Sequence, residues 1–320
     1  MGAGAESVST TTVRTWRTSS VITWASIGLF CLVGELWVMG TWLLSDDFRF
    51  SSGDRLSISS SREITIWVMQ SAVVLSVVSA AWKVRQQCRR KKTFTFEAAL
   101  FLGFVSTIWL DVLMNWGYRG GLYDQALVHT STWGPYVPGW SSPGQEHQIV
   151  PLSGGWFGYV LGFAWALVTA LLMRFIALRY WPHLKGARLA LAALGTSIIG
   201  SILLEAACIQ AGIYAYPRVT PGVTLFADQW YRMPLLNVAS TGIFWGAIPF
   251  LIWHYHQTKG PESTILRGLG HLPRQLRPSA QTLACIGLMN VSVVGYFACF
   301  RLISLISHVP PLVDAPIPLV

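Results

Sequence analysis

Seven apolar runs, each long enough to cross a bilayer, alternate with loops in which the basic residues fall on every second one. The runs are Val21 to Leu44, Ile64 to Val84, Phe94 to Trp116, Gly154 to Leu178, Ala187 to Ile213, Met233 to His256 and Ala280 to Ile303. About 20 apolar residues cross the hydrocarbon as a helix. Lipid offers the backbone no hydrogen-bond partners, so runs of this length are helical. Charged residues make up 12% of the 320 and mean hydropathy is +0.47, where a soluble domain is about a quarter charged. The predicted fold is an all-α polytopic membrane bundle of about seven helices. A net charge of +9 would suggest nucleic acid in a soluble chain. Here the basic residues sit in short loops and no nucleic-acid motif occurs, so the expected surroundings are a lipid bilayer, with no nucleic acid.

The loops set the orientation. Sixteen of the 23 basic residues lie before span one, between spans two and three, between four and five, and between six and seven. Cytoplasmic loops carry the Lys/Arg excess, so the N-terminus is predicted inside and the C-terminus outside, as in a multi-pass protein of the bacterial cell membrane. Residues 1–18 read as a disordered tail with Arg14 and Arg17 beside the first span, residues 19–305 as the transmembrane domain, and 306–320 as an external tail. Span one is too long for a signal-peptide core of about 7 to 15 residues. Both long loops, 117–153 and 214–232, then fall outside. They are rich in Gly, Pro and aromatics, as lids and binding elements often are.

Ionisable residues inside a span mark functional sites by default. Glu35, Asp111, Glu205 and Arg301 all fall in the outer halves of their spans, as do the amides Gln70 and Asn237. Scattered structural polar groups have no reason to share a level. Asp111 and Asn115 are four apart and would share one face of a regular α-helix. Gln70, Asn237 and Asn290 read first as interhelical hydrogen-bond partners, Glu97 as a solvated helix-end acid, and Arg301 equally as a cation reaching for headgroups. Glu146 and His147 read as solvated loop residues. His254 and His256 are two apart and point to different sides of a helix. Cys31, Cys88, Cys208, Cys285 and Cys299 form no C-x-x-C pair and read as small buried hydrophobes. No phosphate loop, H-E-x-x-H or G-x-S-x-G occurs, and Asp46-Asp47 lacks the partners of a diphosphate-metal motif. No metal and no cofactor is expected.

The order of the motifs resembles the AveC-like spirocyclases, integral membrane proteins of avermectin- and milbemycin-type macrolide biosynthesis. The matching residues are Asp111-Val-Leu-Met-Asn115, Trp133-Gly134 followed by Pro138-Gly139-Trp140, Glu205 with Tyr214-Ala-Tyr-Pro217, Tyr231-Arg-Met-Pro234, and Asn290. Together they cover most of residues 20 to 305. One departure is Asp111-Val112 where the family has Asp-Pro, which bears on the helix-end geometry and not on the acid. The resemblance implies an enzyme that closes a spiroketal on an apolar polyketide macrolide; some members also dehydrate a ring carbon.

A dihydroxyketone becomes a spiroketal by two additions to one carbonyl carbon with loss of water, through an oxocarbenium ion. That chemistry needs an acid for the departing oxygen and a base for the incoming one, and carboxyl groups in an apolar pocket can serve as both. The expected catalytic residues are Asp111, Glu205 and Glu35, with Asp111 as base or cation stabiliser and Glu205 as acid, the reverse being close behind. The expected substrate-binding residues are Asn115, Tyr123, Asp124, His129, Trp133, Tyr136, Trp140, Tyr214, Tyr231, Asn237, Asn290 and Arg301. Two other classes share these features. A membrane-bound terpene cyclase would also use buried carboxylic acids. A transporter or receptor would want a polar path to both membrane faces, whereas these acids stop in the outer half.

Overall fold

The computed structural model describes residues 19–53, 58–144 and 148–310. The expected tail 1–18 with Arg14 and Arg17, residues 311–320 of the expected tail 306–320, and the loop residues Arg55, Glu146 and His147 lie outside the described residues. Among the described residues, six helical stretches are long and apolar enough to cross a membrane, and a bent pair taken as one span makes a seventh. The chain is a multi-pass helix bundle. It runs α1 (Ser20–Leu43), α2 (Ser60–Lys91), α3 (Phe96–Val105), α4 (Phe157–Leu172), α5 (Leu178–Tyr180), α6 (Gly186–Gln210), α7 (Leu235–Thr241), α8 (Ile248–Lys259) and α9 (Arg277–Ser304). π-helical turns at Leu152–Trp156 and Met173–Ala177 extend α4 at both ends, and another at Gly242–Ala247 joins α7 to α8.

The third expected span is not one helix. After α3 the Ser106 hydroxyl bonds back to the Gly103 carbonyl at 2.8 Å and the Thr107 hydroxyl to that of Phe104 at 2.7 Å. Side chains of this kind compete with the helical ladder. The chain bends by 43° and continues as a 3₁₀ helix, Ile108–Asn115. At three residues per turn, Asp111 and Asn115 stand about 120° apart, so the expectation that they share a face fails. Asn290 of α9 anchors the break. Its amide nitrogen donates to the Ser106 hydroxyl at 3.0 Å and to the Ile286 carbonyl at 3.0 Å, and its oxygen accepts from the Trp109 indole at 2.9 Å. That matches the interhelical role expected of it.

Helix α9 is the most buried span and packs on α1 and α3. Its approach to α1 is close: a Cβ at Gly28 would lie 1.9 Å from the Leu283 carbonyl oxygen, and one at Gly287 would lie 2.3 Å from that of Trp24. Small residues at such crossings let backbones meet. The interior between α3, α4 and α9 is filled by Leu100, Phe104, Phe163, Trp245 and Met289. Phe30, Leu36 and Trp37 of α1 and Leu75, Val78 and Trp82 of α2 point outward, as apolar residues facing lipid do. Glu97, expected in solvent, is instead buried, accepting hydrogen bonds from the Trp253 indole at 3.2 Å and the Gln257 amide at 2.8 Å. The correction follows from α8 packing over the start of α3, which excludes water.

The two long loops are tied down by short antiparallel ladders. β1 (Phe50–Ser51), β3 (His129–Ser131) and β4 (Ile149–Pro151) form one sheet, and β6 (Thr224–Leu225) pairs with β7 (Met233–Pro234). β2 (Leu122–Tyr123) in the first loop pairs with β5 (Tyr214–Ala215) in the second, in register Leu122↔Ala215 and Tyr123↔Tyr214. The two loops therefore form one structure over one end of the bundle.

Candidate functional site

Asp111 sits in the middle of the 3₁₀ segment and is 4% exposed. A 3₁₀ turn leaves carbonyls poorly paired, and two tryptophans of the first loop supply donors. The Trp133 indole donates to the Trp109 carbonyl and the Trp140 indole to the Val112 carbonyl, each at 2.8 Å. Trp133 is fully buried against Trp42 and Trp156, with ring centroids 5.3 and 5.4 Å away. Behind the carboxyl stands Gly155, at the π-helical entry to α4. A Cβ there would lie 3.1 Å from the Asp111 carboxyl and 2.1 Å from a Val150 methyl. The missing side chain gives the acid its place.

Phenols surround both acids. Asp111 accepts hydrogen bonds from Tyr123, at 3.3 Å, and from Tyr159 of α4. Glu205, in the last turns of α6 and 5% exposed, accepts from Tyr216 at 2.5 Å, Thr241 at 2.6 Å and Tyr214 at 3.1 Å. The β2–β5 ladder links the two groups. Residues directly opposite in an antiparallel pair project to the same side. Tyr123 and Tyr214 are such a pair, and each reaches one of the carboxyls. Tyr296 of α9 completes the cluster. Its hydroxyl is 3.4 Å from that of Thr241 and within electrostatic reach of both Asp111 and Glu205. Burial pushes the phenols of Tyr123, Tyr214 and Tyr216 well above their usual range, and the neighbouring carboxyls push them further. All three therefore stay protonated and act as donors.

An ion pair beside the ladder holds these pieces together. Asp124 is fully buried and pairs with Arg62 at the start of α2. Arg62 also donates to the carbonyls of Ala211 at 3.1 Å and Gly212 at 2.9 Å, capping the end of α6. Asp124 further accepts from the Ala126 backbone at 2.9 Å. One guanidinium thus couples the Tyr123 strand to the helix that carries Glu205.

The remaining expected residues make other contacts. The Asn115 oxygen accepts from the backbone of Gly120 at 2.9 Å and Gly121 at 3.2 Å, closing the turn before β2. His129 bonds the Leu127 carbonyl at 2.7 Å. Tyr136 lies outside the cluster and donates to Asp47 at 2.7 Å. Tyr231 packs with Phe226 and Trp230. Asn237 is buried on α7, one turn before Thr241. The guanidinium of Arg301, which is exposed, lies 5.1 Å from the Tyr118 ring centroid, and that of Arg218 lies 5.5 Å from the same ring. Glu35 is half-buried on α1, with Cys31 one turn back as its electrostatic neighbour. His256 stacks on Phe96 at 4.1 Å, next to a small apolar cavity between α3, α4 and α8 that Glu97 and Trp253 line. That cavity lies fourteen residues before Asp111 on the same span and is no part of the carboxyl cluster.

Four members of the cluster were not anticipated: Tyr159, Tyr216, Thr241 and Tyr296. A tyrosine in an apolar span is the signal that singles out Tyr159 and Tyr296, because a buried phenol needs a partner. Nothing local distinguishes Thr241.

Residues 89–315 match the family model described as AveC-like spirocyclase. No curated protein and no solved structure matches the chain. The matched segment includes both carboxyls, every hydroxyl that reaches them, and the whole β2–β5 ladder. With most of its length so matched, the chain belongs to the AveC-like spirocyclase family.

Proposed function

We propose that the protein is a spirocyclase of the bacterial cell membrane that closes a spiroketal on a dihydroxyketone polyketide macrolide, using Asp111 and Glu205 as its acid–base pair. The observation that carries this reading is the Tyr123–Tyr214 pair, which directs two buried carboxyls to the same side of one ladder. Spiroketal closure asks for two such groups around one carbonyl carbon. In the first addition a substrate hydroxyl attacks that carbon, gives its proton to the base, and the acid protonates the carbonyl oxygen. Once the proton taken up by the base has been returned to the acid, the acid protonates the resulting hemiketal hydroxyl, which leaves as water. The second hydroxyl captures the oxocarbenium ion and gives its proton to the base.

The hydrogen bonds support a division of labour. Glu205 accepts from three hydroxyls and Asp111 from two. Charge-assisted bonds from several donors suit a carboxylate that carries negative charge. Glu205 is therefore the base and the partner of the oxocarbenium ion, and Asp111 is the acid, the reverse of the first assignment from sequence. Trp133 and Trp140 hold the Asp111 segment, and the aromatic walls set the face of attack on an apolar substrate. Dehydration of a ring carbon, as in some family members, would draw on the same acid.

The test is to incubate membranes with a dihydroxyketone macrolide precursor. Asp111→Asn and Glu205→Gln keep shape and remove proton transfer. Each should lower spiroketal formation by about 10² to 10⁴ while the protein still inserts into membranes. Parental turnover in both amide variants would make the acids structural and end this mechanism.

A further inference from the structure

Helix α2 is longer than a bilayer requires. Its 32 residues extend about 48 Å at 1.5 Å per residue, against a hydrocarbon core of about 30 Å. The surplus is basic. Lys83, Arg85, Arg89, Arg90, Lys91 and Lys92 line its last turns and C-cap, and all six are exposed. The helix dipole rewards cations in the last turn only, and Lys83 stands two turns before Lys91. Helix α4 ends beside this one. Early in α2, Gln70 accepts from the Val128 backbone at 3.0 Å, and the Val128 carbonyl accepts from Leu152, at the start of α4, at 2.9 Å. The two helices pack along each other. They start together and run the same way, so both deliver their ends to one end of the bundle. Past α4, Arg174, Arg179, Lys185 and Arg188 are exposed as well. Residues 83–92 and 174–188 hold no Asp or Glu, and among the described residues none of these cations forms an ion pair.

We propose that the basic ends of α2 and α4 form a docking surface for anionic phospholipids. Each helix lays one guanidinium over an exposed aromatic ring at this end. The Arg85 guanidinium lies 5.8 Å from the Trp82 ring centroid, and that of Arg174 lies 6.0 Å from the Phe175 ring centroid. Trp82 is 54% exposed and Phe175 59%. Aromatic rings at a membrane boundary settle at the headgroup level, so these guanidiniums stand at the height of lipid phosphates. Guanidinium and phosphate form strong charge-assisted hydrogen bonds. A lipid fits the surface better than a free anion does, because the cations run directly into exposed apolar side chains. Leu75 and Val78 precede them on α2, and Leu171 does on α4. The phosphate meets the cations while the acyl chains lie along those side chains. This surface is distinct from the carboxyl cluster and does not depend on the reaction.

The test uses the full-length protein held on an affinity matrix. It is washed in detergent carrying equal amounts of phosphatidylglycerol and phosphatidylcholine with the same acyl chains, and the retained lipid is quantified by mass spectrometry. One cation near an anionic headgroup strengthens binding about fivefold, so the parent should prefer phosphatidylglycerol by at least about tenfold. Raising sodium chloride from about 0.05 to about 0.5 M should remove most of that preference. A protein carrying Arg85→Gln, Arg89→Gln, Arg90→Gln and Arg174→Gln should lose it at low salt, since glutamine keeps the helix propensity. Arg267→Gln with Arg274→Gln, both exposed in the connection before α9, should retain it. Equal retention of the two lipids by the parent overturns the proposal, and so does a preference that salt leaves intact. These two readouts need no variant and hold even where the four-site protein fails to fold. A folded four-site protein that prefers phosphatidylglycerol like the parent also overturns it, as does a loss of equal size in the Arg267 and Arg274 protein. Inorganic phosphate at matched ionic strength should displace no lipid; displacement would make this a site for soluble anions and overturn the lipid assignment.

Discussion

Gly155→Ala adds one methyl group at the back of the Asp111 carboxyl. Its carbon would lie 2.1 Å from a Val150 methyl and 3.1 Å from the carboxyl. Ordinary carbon contacts lie at about 3.5 to 4.0 Å. The valine side must therefore open by roughly 1.5 Å and the carboxyl side by roughly 0.5 Å. Val150 is 2% exposed, and its backbone is paired with Thr130 in the β3–β4 ladder, so the valine cannot slide away as a unit. Overpacking of this size costs about 1 to 3 kcal/mol. It also displaces the acid, and a 1 Å misplacement of a catalytic group costs about 10²-fold. A half-ångström shift should then lower turnover about tenfold, with KM little changed. Thermal unfolding of the purified protein in detergent gives the stability term, and spiroketal formation from a dihydroxyketone macrolide gives the rate. The discriminating variant is Val150→Ala in the Gly155→Ala background. Removing the valine methyls deletes the closest contact, so the double mutant should be more stable than the two single effects predict, by about 1 kcal/mol or more of coupling. A Gly155→Ala protein that melts and turns over like the parent refutes the close approach, and zero coupling to Val150 refutes its stated cause.

Three further outcomes follow from the geometry. Asn290→Leu strips the Trp109 indole and the Ser106 hydroxyl of their partner at the bend, and should lower stability by about 2 kcal/mol in a thermal melt; an unchanged melt would mean the break holds without α9. Arg62→Met leaves the Asp124 charge buried alone, at about 3 to 5 kcal/mol, and adding Asp124→Asn should recover most of it by removing the charge; no recovery would place the loss at the α6 cap instead. Reporter fusions after Lys92 and after Arg277 should read as cytoplasmic and one near Gly144 as external; inverted signals would reverse the orientation taken from the basic loops.

Much of the architecture was legible before any coordinates. Bilayer thickness dictates how long an apolar run must be, so the spans from Val21 to Ile303 could be counted, and the rarity of charge in lipid made Asp111 and Glu205 stand out. The same logic fails where local pattern and tertiary context part. The run from Phe94 to Trp116 is apolar throughout, yet Ser106, Thr107 and the distant Asn290 break it, so a face inferred from an α-helical period did not exist for Asp111 and Asn115. Asp124 reads as a loop acid open to substrate, but Arg62 arrives from another helix and claims it. The decisive contact, Tyr123 beside Tyr214, joins loops about ninety residues apart. Pairing at that distance leaves no periodic trace, because each two-residue strand is too short to show alternation and its partner is chosen by how the helices beneath bring the loops together. The chain's own pattern set the bundle and named the two acids; only their packing decided that tyrosines from β2, β5, α4 and α9 would gather both into one hydroxyl-lined centre.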